Sequence, residues 1–231
     1  MSAGEMLVFD MDGVLVDVGE SYRETICRTV EHFTGRKISK ELIQQYKNSG
    51  GWNNDWALSQ KIAADLGTTV DYGTVVEVFQ RLFLGDGTNG LIMRERWIPR
   101  EGLLEQLGRR YQLAIFTGRL REEANLTLRR FGVEMRFDPL IGSDDVTNGK
   151  PSPDGLFAIA ARNPGRAMWY VGDTVDDARC ARAAGVKFIG VAGEETLRRD
   201  ELIGLFRVEG AAAILKSVNE LPQFLGNGAE S

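Results

Sequence analysis

Short apolar runs alternate with amphipathic segments along most of the chain. Apolar runs that end at polar or glycine residues predict buried strands, and they cover residues 6–9, 112–118, 138–141, 167–173, 187–192 and, as an edge strand, 211–215. Helical spacing of apolar residues predicts helices at 99–110, 120–131, 153–162, 175–184, 195–205 and 218–224. This alternation predicts an α/β fold, a parallel sheet covered by helices on both faces.

One long segment interrupts this alternation just after the first strand. Residues 17–95 contain no convincing strand, and helices are predicted at 20–33, 39–47, 54–66 and 71–84. We therefore predict an α/β core formed by residues 1–16 and 96–231, with residues 17–95 inserted as an α-helical cap domain that could close over the strand ends.

Composition excludes several classes of partner. The net charge of −5 gives no general attraction to nucleic acid or to an anionic membrane, and no apolar run has the length of a membrane span. The first residues lack the features of a signal peptide. Cys27 and Cys180 have no metal-binding or redox spacing, which favours two buried thiols in a reducing cytoplasm. We expect a cytoplasmic protein, and no pattern indicates its oligomeric state.

Chemically active residues follow the carboxyl ends of the predicted strands, where open α/β sheets bind ligands. Four groups stand there in chain order: Asp10 with Asp12, Thr117 with Gly118 and Arg119, Lys150 with Pro151, and Asp173 with Asp177. Carboxylates this close together repel one another and shift their pKa values. Magnesium prefers hard oxygen ligands and supplies the compensating charge. The sequence therefore predicts a Mg²⁺ site at this edge of the sheet.

The same residues suit phosphoryl transfer. Lys150 and the groups near Thr117 could hold the outer oxygens of a phosphate. One carboxylate could form an aspartyl-phosphate, and a second could protonate the leaving oxygen and later activate water. Each motif alone has a simpler explanation, such as a turn or an acidic helix start. Together, in this order and each after the expected strand, they are poorly explained by chance.

Four sequence segments carry a resemblance to a known family. The segments "FDMDGVLVD", "FTGR", "GKPSPDGL" and "VGDTVDDARCARAAG" resemble the four motifs of the haloacid dehalogenase (HAD) superfamily. The resemblance spans residues 6–225 and implies a HAD-like core with a Rossmann-like parallel sheet. The helical insertion resembles the subfamily with a helical cap between the first two motifs. That subfamily includes phosphoglycolate phosphatases and beta-phosphoglucomutases.

The resemblance also implies roles for individual residues. They are Asp10 as nucleophile and metal ligand, Asp12 as general acid/base and main-chain metal ligand, Thr117 and Gly118 as phosphate-binding residues, Lys150 as the lysine that steadies nucleophile and phosphate, Asp173 as a direct metal ligand, and Asp177 as a second metal-binding acid that often acts through water. Asp176 is expected to be a solvated or capping residue.

Arg119 departs from the family pattern, because many relatives have a small polar residue at this position. Two interpretations remain open. Arg119 could contact the substrate or its phosphate, or it could form a salt bridge on the following helix.

The resemblance does not by itself determine which reaction the protein catalyses. Dehalogenases and phosphonate-cleaving relatives lack the second aspartate of the first motif, so Asp12 argues against both. Water as the acceptor gives a phosphatase, and a sugar hydroxyl gives a mutase. The mutases carry a histidine shortly after the first motif, whereas the only histidine here is the more distant His32. We expect hydrolysis of a small phosphorylated metabolite. A sugar-phosphate mutase is the alternative, and a non-catalytic phosphate-sensing protein is less favoured.

The insertion contains one distinctive stretch, residues 47–59. We expect Gly51, Trp52 and Asn53 to lie near the substrate and select it, and Trp56 to lie in the core of the cap domain. The alternative is that Asn54 or Asp55 caps a helix and both tryptophans pack within the insertion. The tail 226–231 is expected to be disordered.

Overall fold

The computed structural model describes residues 4–86 and 88–227. The chain divides into two compact units, one formed by the chain up to Val16 and from Trp97 onward, the other by Asp17–Arg96. The second unit consists mainly of helices. Its role as a cap stays a prediction.

Eight strands and ten α-helices are assigned within the described residues. The strands are β1 (Met6–Phe9), β2 (Val16–Asp17), β3 (Arg96–Trp97), β4 (Gln112–Phe116), β5 (Leu140–Ile141), β6 (Met168–Gly172), β7 (Lys187–Val191) and β8 (Ala213–Leu215). The helices are α1 (Tyr22–Thr34), α2 (Lys40–Ser49), α3 (Asp55–Asp65), α4 (Tyr72–Leu84), α5 (Leu103–Gly108), α6 (Arg121–Arg130), α7 (Asp154–Arg162), α8 (Val175–Ala184), α9 (Arg199–Val208) and α10 (Leu221–Asn227). β2 and β3 pair as a separate two-stranded sheet.

Six strands form one parallel sheet in the order β5-β4-β1-β6-β7-β8. The predicted α/β fold is confirmed, and β8 lies at an edge of the sheet as expected. β1 is central, and Phe9 pairs with Ile115 on one side and Val171 on the other. All four residues of β1 are buried, as expected for a parallel strand covered on both faces. The carboxyl ends of β4, β1 and β6 are therefore neighbours.

Helix α7 packs very closely on the sheet. A Cβ atom on Gly155 would lie 2.2 Å from the ring of Phe116 in β4, so only glycine allows this approach. Phe116 belongs to a core cluster with Leu156 of α7 and Tyr170 of β6. This packing fixes the loop that precedes α7, which carries Lys150.

The helical unit has its own core and conventional caps. Tyr22 of α1 stacks against Phe79 and Phe83 of α4. The side chain of Asn54 accepts hydrogen bonds from the backbone N–H groups of Trp56 and Ala57, so Asn54 is the N-cap of α3. The half-buried Trp56 makes an edge-to-face contact with Phe79. Asn54 thus fills the capping role allowed by the sequence, and Trp56 packs against this core.

Some predicted element boundaries are wrong. The helix expected from residue 99 begins at Leu103, because Gly102 adopts a left-handed backbone conformation with φ of 76°. The helix expected from residue 195 begins at Arg199, after Arg198 with φ of 53°. Helix α10 continues through Asn227, so the predicted disorder from residue 226 is wrong there; residues 228–231 lie outside the described part.

Two smaller observations concern the thiols and the membrane. Cys180 is buried as expected, but Cys27 is only partly buried, so the expectation of two buried thiols is wrong for Cys27. Within the described ranges, no helix combines the length and the apolar character needed to cross a membrane.

Candidate active site

The strand order of the sheet brings the predicted motif residues to one edge. Asp10 follows β1 directly, Thr117 follows β4 and Asp173 follows β6. Asp10 is only 4% exposed and Thr117 only 1%. Because β4, β1 and β6 are adjacent, these side chains come from neighbouring strand ends. Lys150 reaches the same place from the loop before α7.

Lys150 bridges two buried carboxylates. Its Nζ lies 2.8 Å from Asp10 Oδ1 and 2.7 Å from Asp177 Oδ1. The ammonium group also lies 5.3 Å from the ring centre of Phe116 and 5.5 Å from that of Tyr170, within the range of a cation–π interaction. Although burial opposes its charge, the two carboxylates raise the pKa of Lys150 above its ordinary value. Lys150 is therefore a fixed positive charge between two acids.

Burial by itself lowers the pKa of Lys150 but raises the pKa of Asp10, the predicted nucleophile. Loss of water around Asp10 is the largest influence and raises its pKa to about 7, although the charge of Lys150 opposes the shift. Asp177 and Asp12 raise this pKa further through repulsion. An additional cation beside Asp10 would favour the carboxylate form.

Asp177 is held by several donors. Its Oδ1 accepts from Lys150 and from the hydroxyl of Tyr170, both at 2.7 Å, and its Oδ2 accepts from the hydroxyl and backbone N–H of Thr174. Burial raises the pKa of Asp177, but Lys150 and these hydrogen bonds outweigh it, so the pKa is lowered overall. Sequence reasoning missed Tyr170. The available signal was a tyrosine in a buried strand, whose hydroxyl usually needs a polar partner.

The acids also fit a metal ion. Single carboxylate oxygens of Asp10, Asp173 and Asp177 all lie within 4.8 Å of one another. Three carboxylates around one lysine leave the cluster negative. Such a set of hard oxygens suits a divalent cation such as Mg²⁺. The chemistry of the donors therefore fits the ion that the sequence predicts.

Gly13 is confined by Asp173. Its φ is 70°, and a Cβ atom there would lie 1.9 Å from Asp173 Oδ2. We expect Gly13→Ala to lower the free energy of unfolding by more than the roughly 1–2 kcal/mol of left-handed strain alone, and also to weaken Mg²⁺ binding, because Asp173 must move. Urea unfolding and a Mg²⁺ titration measure the two effects.

Gly132→Ala is the matched control for that experiment. Gly132 has nearly the same φ, 68°, but a Cβ atom there would meet nothing within 4 Å. It therefore reports the backbone strain without the collision. Equal losses of stability in the two variants, with unchanged Mg²⁺ binding in both, would contradict a specific contact between Gly13 and Asp173.

Arg119 has a partner that the sequence did not indicate. Its Nε donates to Asp12 Oδ1 at 2.7 Å, and its Nη1 donates to the hydroxyl of Thr127 on α6 at 2.8 Å. Arg119 therefore forms a salt bridge, but with Asp12 and not on the following helix, so that interpretation is wrong about the partner. The contact of Arg119 with substrate stays a prediction.

The expectation that Asp176 is solvated is wrong. Asp176 is 2% exposed, and one of its oxygens lies 3.9 Å from Arg179 Nη1. Helix α8 packs against β6, β7, α7 and α9, and this packing buries its first turn.

The predicted substrate-selecting loop lies in the helical unit. Gly51 is exposed, whereas Trp52 and Asn53 are partly buried. The ring of Trp52 packs edge-on against Tyr46, with ring centres 5.9 Å apart. The contact of Gly51, Trp52 and Asn53 with substrate stays a prediction.

Comparisons with known proteins place the chain in a family. The family model described as haloacid dehalogenase-like hydrolase matches residues 7–191. The chain therefore belongs to the haloacid dehalogenase-like hydrolase family, as its motifs indicated. A chain from Agrobacterium tumefaciens described as a conserved haloacid dehalogenase-like protein superposes with a TM-score of 0.75 at 21% identity, covering 98% of this chain and 99% of that one.

Two related proteins that the chain matches have different names. The chain is 35% identical over 209 residues to an imidazoleglycerol-phosphate dehydratase of Phytophthora nicotianae, which covers 86% of this chain but only 45% of that protein. The chain thus spans less than half the length of that relative. It is 26% identical over 183 residues to a phosphoglycolate phosphatase of Cereibacter sphaeroides, covering 79% of this chain and 82% of that one.

Proposed function

We propose that this enzyme is a Mg²⁺-dependent phosphatase that hydrolyses the phosphate ester of a small metabolite through an aspartyl-phosphate on Asp10. The observation that carries the proposal is the position of Lys150, whose Nζ lies within 2.8 Å of both Asp10, directly after β1, and Asp177, in the first turn of α8. The family is a hydrolase family, and a relative that the chain largely covers is named a phosphoglycolate phosphatase.

The first chemical step would occur at phosphorus. A carboxylate oxygen of Asp10 forms a bond to phosphorus while the bond from phosphorus to the ester oxygen breaks. The leaving oxygen takes a proton from Asp12, which gives a neutral alcohol and an aspartyl-phosphate.

The second step would reverse the role of Asp12. Its carboxylate takes a proton from water as the water oxygen attacks phosphorus. The bond between phosphorus and Asp10 breaks, inorganic phosphate is released, and the Asp10 carboxylate is restored. Asp12 ends the cycle protonated and ready to act as an acid again.

Fixed positive charge would assist both steps. Lys150 cannot move away without leaving two buried carboxylates uncompensated, so it is suited to orient Asp10 and to attract phosphate oxygens. Thr117 and Gly118 follow β4 at the same edge and would contribute hydroxyl and N–H donors. Asp10, Asp173, Asp177 and the main-chain carbonyl of Asp12 would hold Mg²⁺, which when bound would offset the charge of the phosphate and the carboxylates.

Phosphate release in the presence and absence of metal tests the proposal. We expect the purified protein to release inorganic phosphate from p-nitrophenyl phosphate and from some members of a panel of small phosphate esters. Excess EDTA should stop the reaction, because the clustered acids would lose their compensating charge. Added Mg²⁺ should restore it.

Three other outcomes would change the conclusion. A folded protein that releases no phosphate from any ester with Mg²⁺ present would refute the phosphatase. Activity that persists in EDTA would refute the metal requirement. Isomerised sugar phosphate without free phosphate would support the mutase instead.

A further inference from the structure

The ion pair between Arg119 and Asp12 is not a surface salt bridge. The Arg119 side chain is 0% exposed, and its Nε and Nη2 lie 2.7 Å and 2.6 Å from the same oxygen, Asp12 Oδ1. A buried guanidinium is costly unless it is paired and hydrogen-bonded. Arg119 is therefore bound into the protein by this contact, and the carboxylate of Asp12 is bound to Arg119.

The guanidinium is held at one further point, and the backbone of Arg119 at another. Nη1 donates to the hydroxyl of Thr127 at 2.8 Å, and Thr127 is only 1% exposed on α6. The backbone N–H of Arg119 donates to the hydroxyl of Thr117 at 3.2 Å. A planar guanidinium with its donors in a rigid fork has little freedom once several of them are engaged. Its position is thus set by the turn after β4 and by α6.

The two oxygens of Asp12 have different surroundings. Both contacts from Arg119 are to Oδ1, while the Asp12 side chain keeps 29% of its surface exposed. Holding one oxygen of a carboxylate fixes the direction of the other. Oδ2 is then the oxygen that Arg119 does not contact.

We propose that Arg119 is a positioning residue that fixes the Asp12 carboxylate for proton transfer. This inference rests on the proposed function, in which Asp12 is the general acid and base. Arg119 acts through Asp12 rather than by touching the substrate. It places the proton donor against the leaving oxygen, since a misdirected donor loses much of the benefit of general acid catalysis.

A comparison of two esters separates positioning from mere folding. p-Nitrophenolate leaves readily without a proton, whereas the alkoxide of an alkyl phosphate needs one. We expect Arg119→Gln to lower kcat for an alkyl phosphate by about 10- to 100-fold, at most the lower end of the roughly 10²–10⁴-fold contribution of general acid catalysis because Asp12 itself remains. It should lower kcat for p-nitrophenyl phosphate much less. KM should change little for either ester. Arg119→Lys should lie between wild type and Arg119→Gln, because it keeps the charge but loses the fork.

Two further variants complete the design. Arg121→Gln is the matched control, because Arg121 is two residues away and forms its partly exposed salt bridge with Asp145 instead. It should leave the ratio of the two activities unchanged. In an Asp12→Asn background, Arg119→Gln should cause no further ester-selective loss. Circular dichroism and thermal unfolding establish that each variant folds.

Thr127→Val provides a second route if Arg119→Gln does not fold. It removes only the hydroxyl that holds Nη1, so a smaller loss with the same preference for the alkyl ester is expected. Equal losses for both esters, or a full effect of Arg119→Gln in the Asp12→Asn background, would overturn the inference. If the wild-type protein hydrolyses neither ester, the proposed function itself fails, which is a different result.

Discussion

Replacing Asp10 with asparagine should abolish phosphate release while leaving the fold intact. An amide oxygen is a poor nucleophile, so no aspartyl-phosphate can form. The expected loss is on the order of a millionfold, as when the nucleophile of a covalent hydrolase is removed. The fold should survive because asparagine has nearly the shape of aspartate, and Lys150 keeps its 2.7 Å contact with Asp177. Steady-state phosphate release and urea unfolding measure the two effects.

A matched control and a direct chemical test make this prediction specific. Asp200→Asn makes the same change at an exposed acid in the first turn of α9 and should retain full activity. In the wild-type enzyme, an acid quench during turnover followed by borohydride reduction should convert the aspartyl-phosphate at position 10 to homoserine, which peptide mass spectrometry detects. Substantial activity of Asp10→Asn, or modification of another aspartate, would show that Asp10 is not the nucleophile.

The sequence predicted the strands and helices that form the layers of the fold, because each buried position requires an apolar residue. A central parallel strand must be apolar throughout, and "MLVF" at 6–9 shows this pattern. Helix α8 begins at Val175 and ends at Ala184 as predicted, because Thr174 caps its start and Gly185, with φ of 68°, ends it. The boundaries failed where backbone conformation competes with periodicity, as at Gly102 before α5.

The candidate site was only partly predictable for a different reason. Motif spacing placed Asp10, Thr117 and Asp173 at strand ends, and parallel pairing made those ends neighbours. The partners of these residues depend on side-chain directions across distant parts of the chain. Arg119 and Asp12 are separated by 107 positions. No local pattern distinguishes that pair from an arginine that faces substrate.

The lysine at the centre of the site should be as important for stability as for catalysis. Lys150→Met leaves Asp10 and Asp177 buried without their shared counter-charge. Breaking a buried ion pair in this way costs about 3–5 kcal/mol of unfolding free energy. Phosphate release should also be lost, because neither the nucleophile nor the phosphate would be steadied. Urea unfolding in EDTA isolates the stability effect from any contribution of bound metal.

The exposed lysine of another ion pair provides the control. Lys216 pairs with Glu194 at 2.6 Å, and both side chains are more than half exposed, so Lys216→Met should change the free energy of unfolding very little. Adding Asp177→Asn to Lys150→Met should recover part of the lost stability, because it removes one uncompensated buried charge. If Lys150→Met costs no more than Lys216→Met, the buried carboxylates do not depend on Lys150. If the double variant is less stable than Lys150→Met alone, the loss arises from packing rather than from charge.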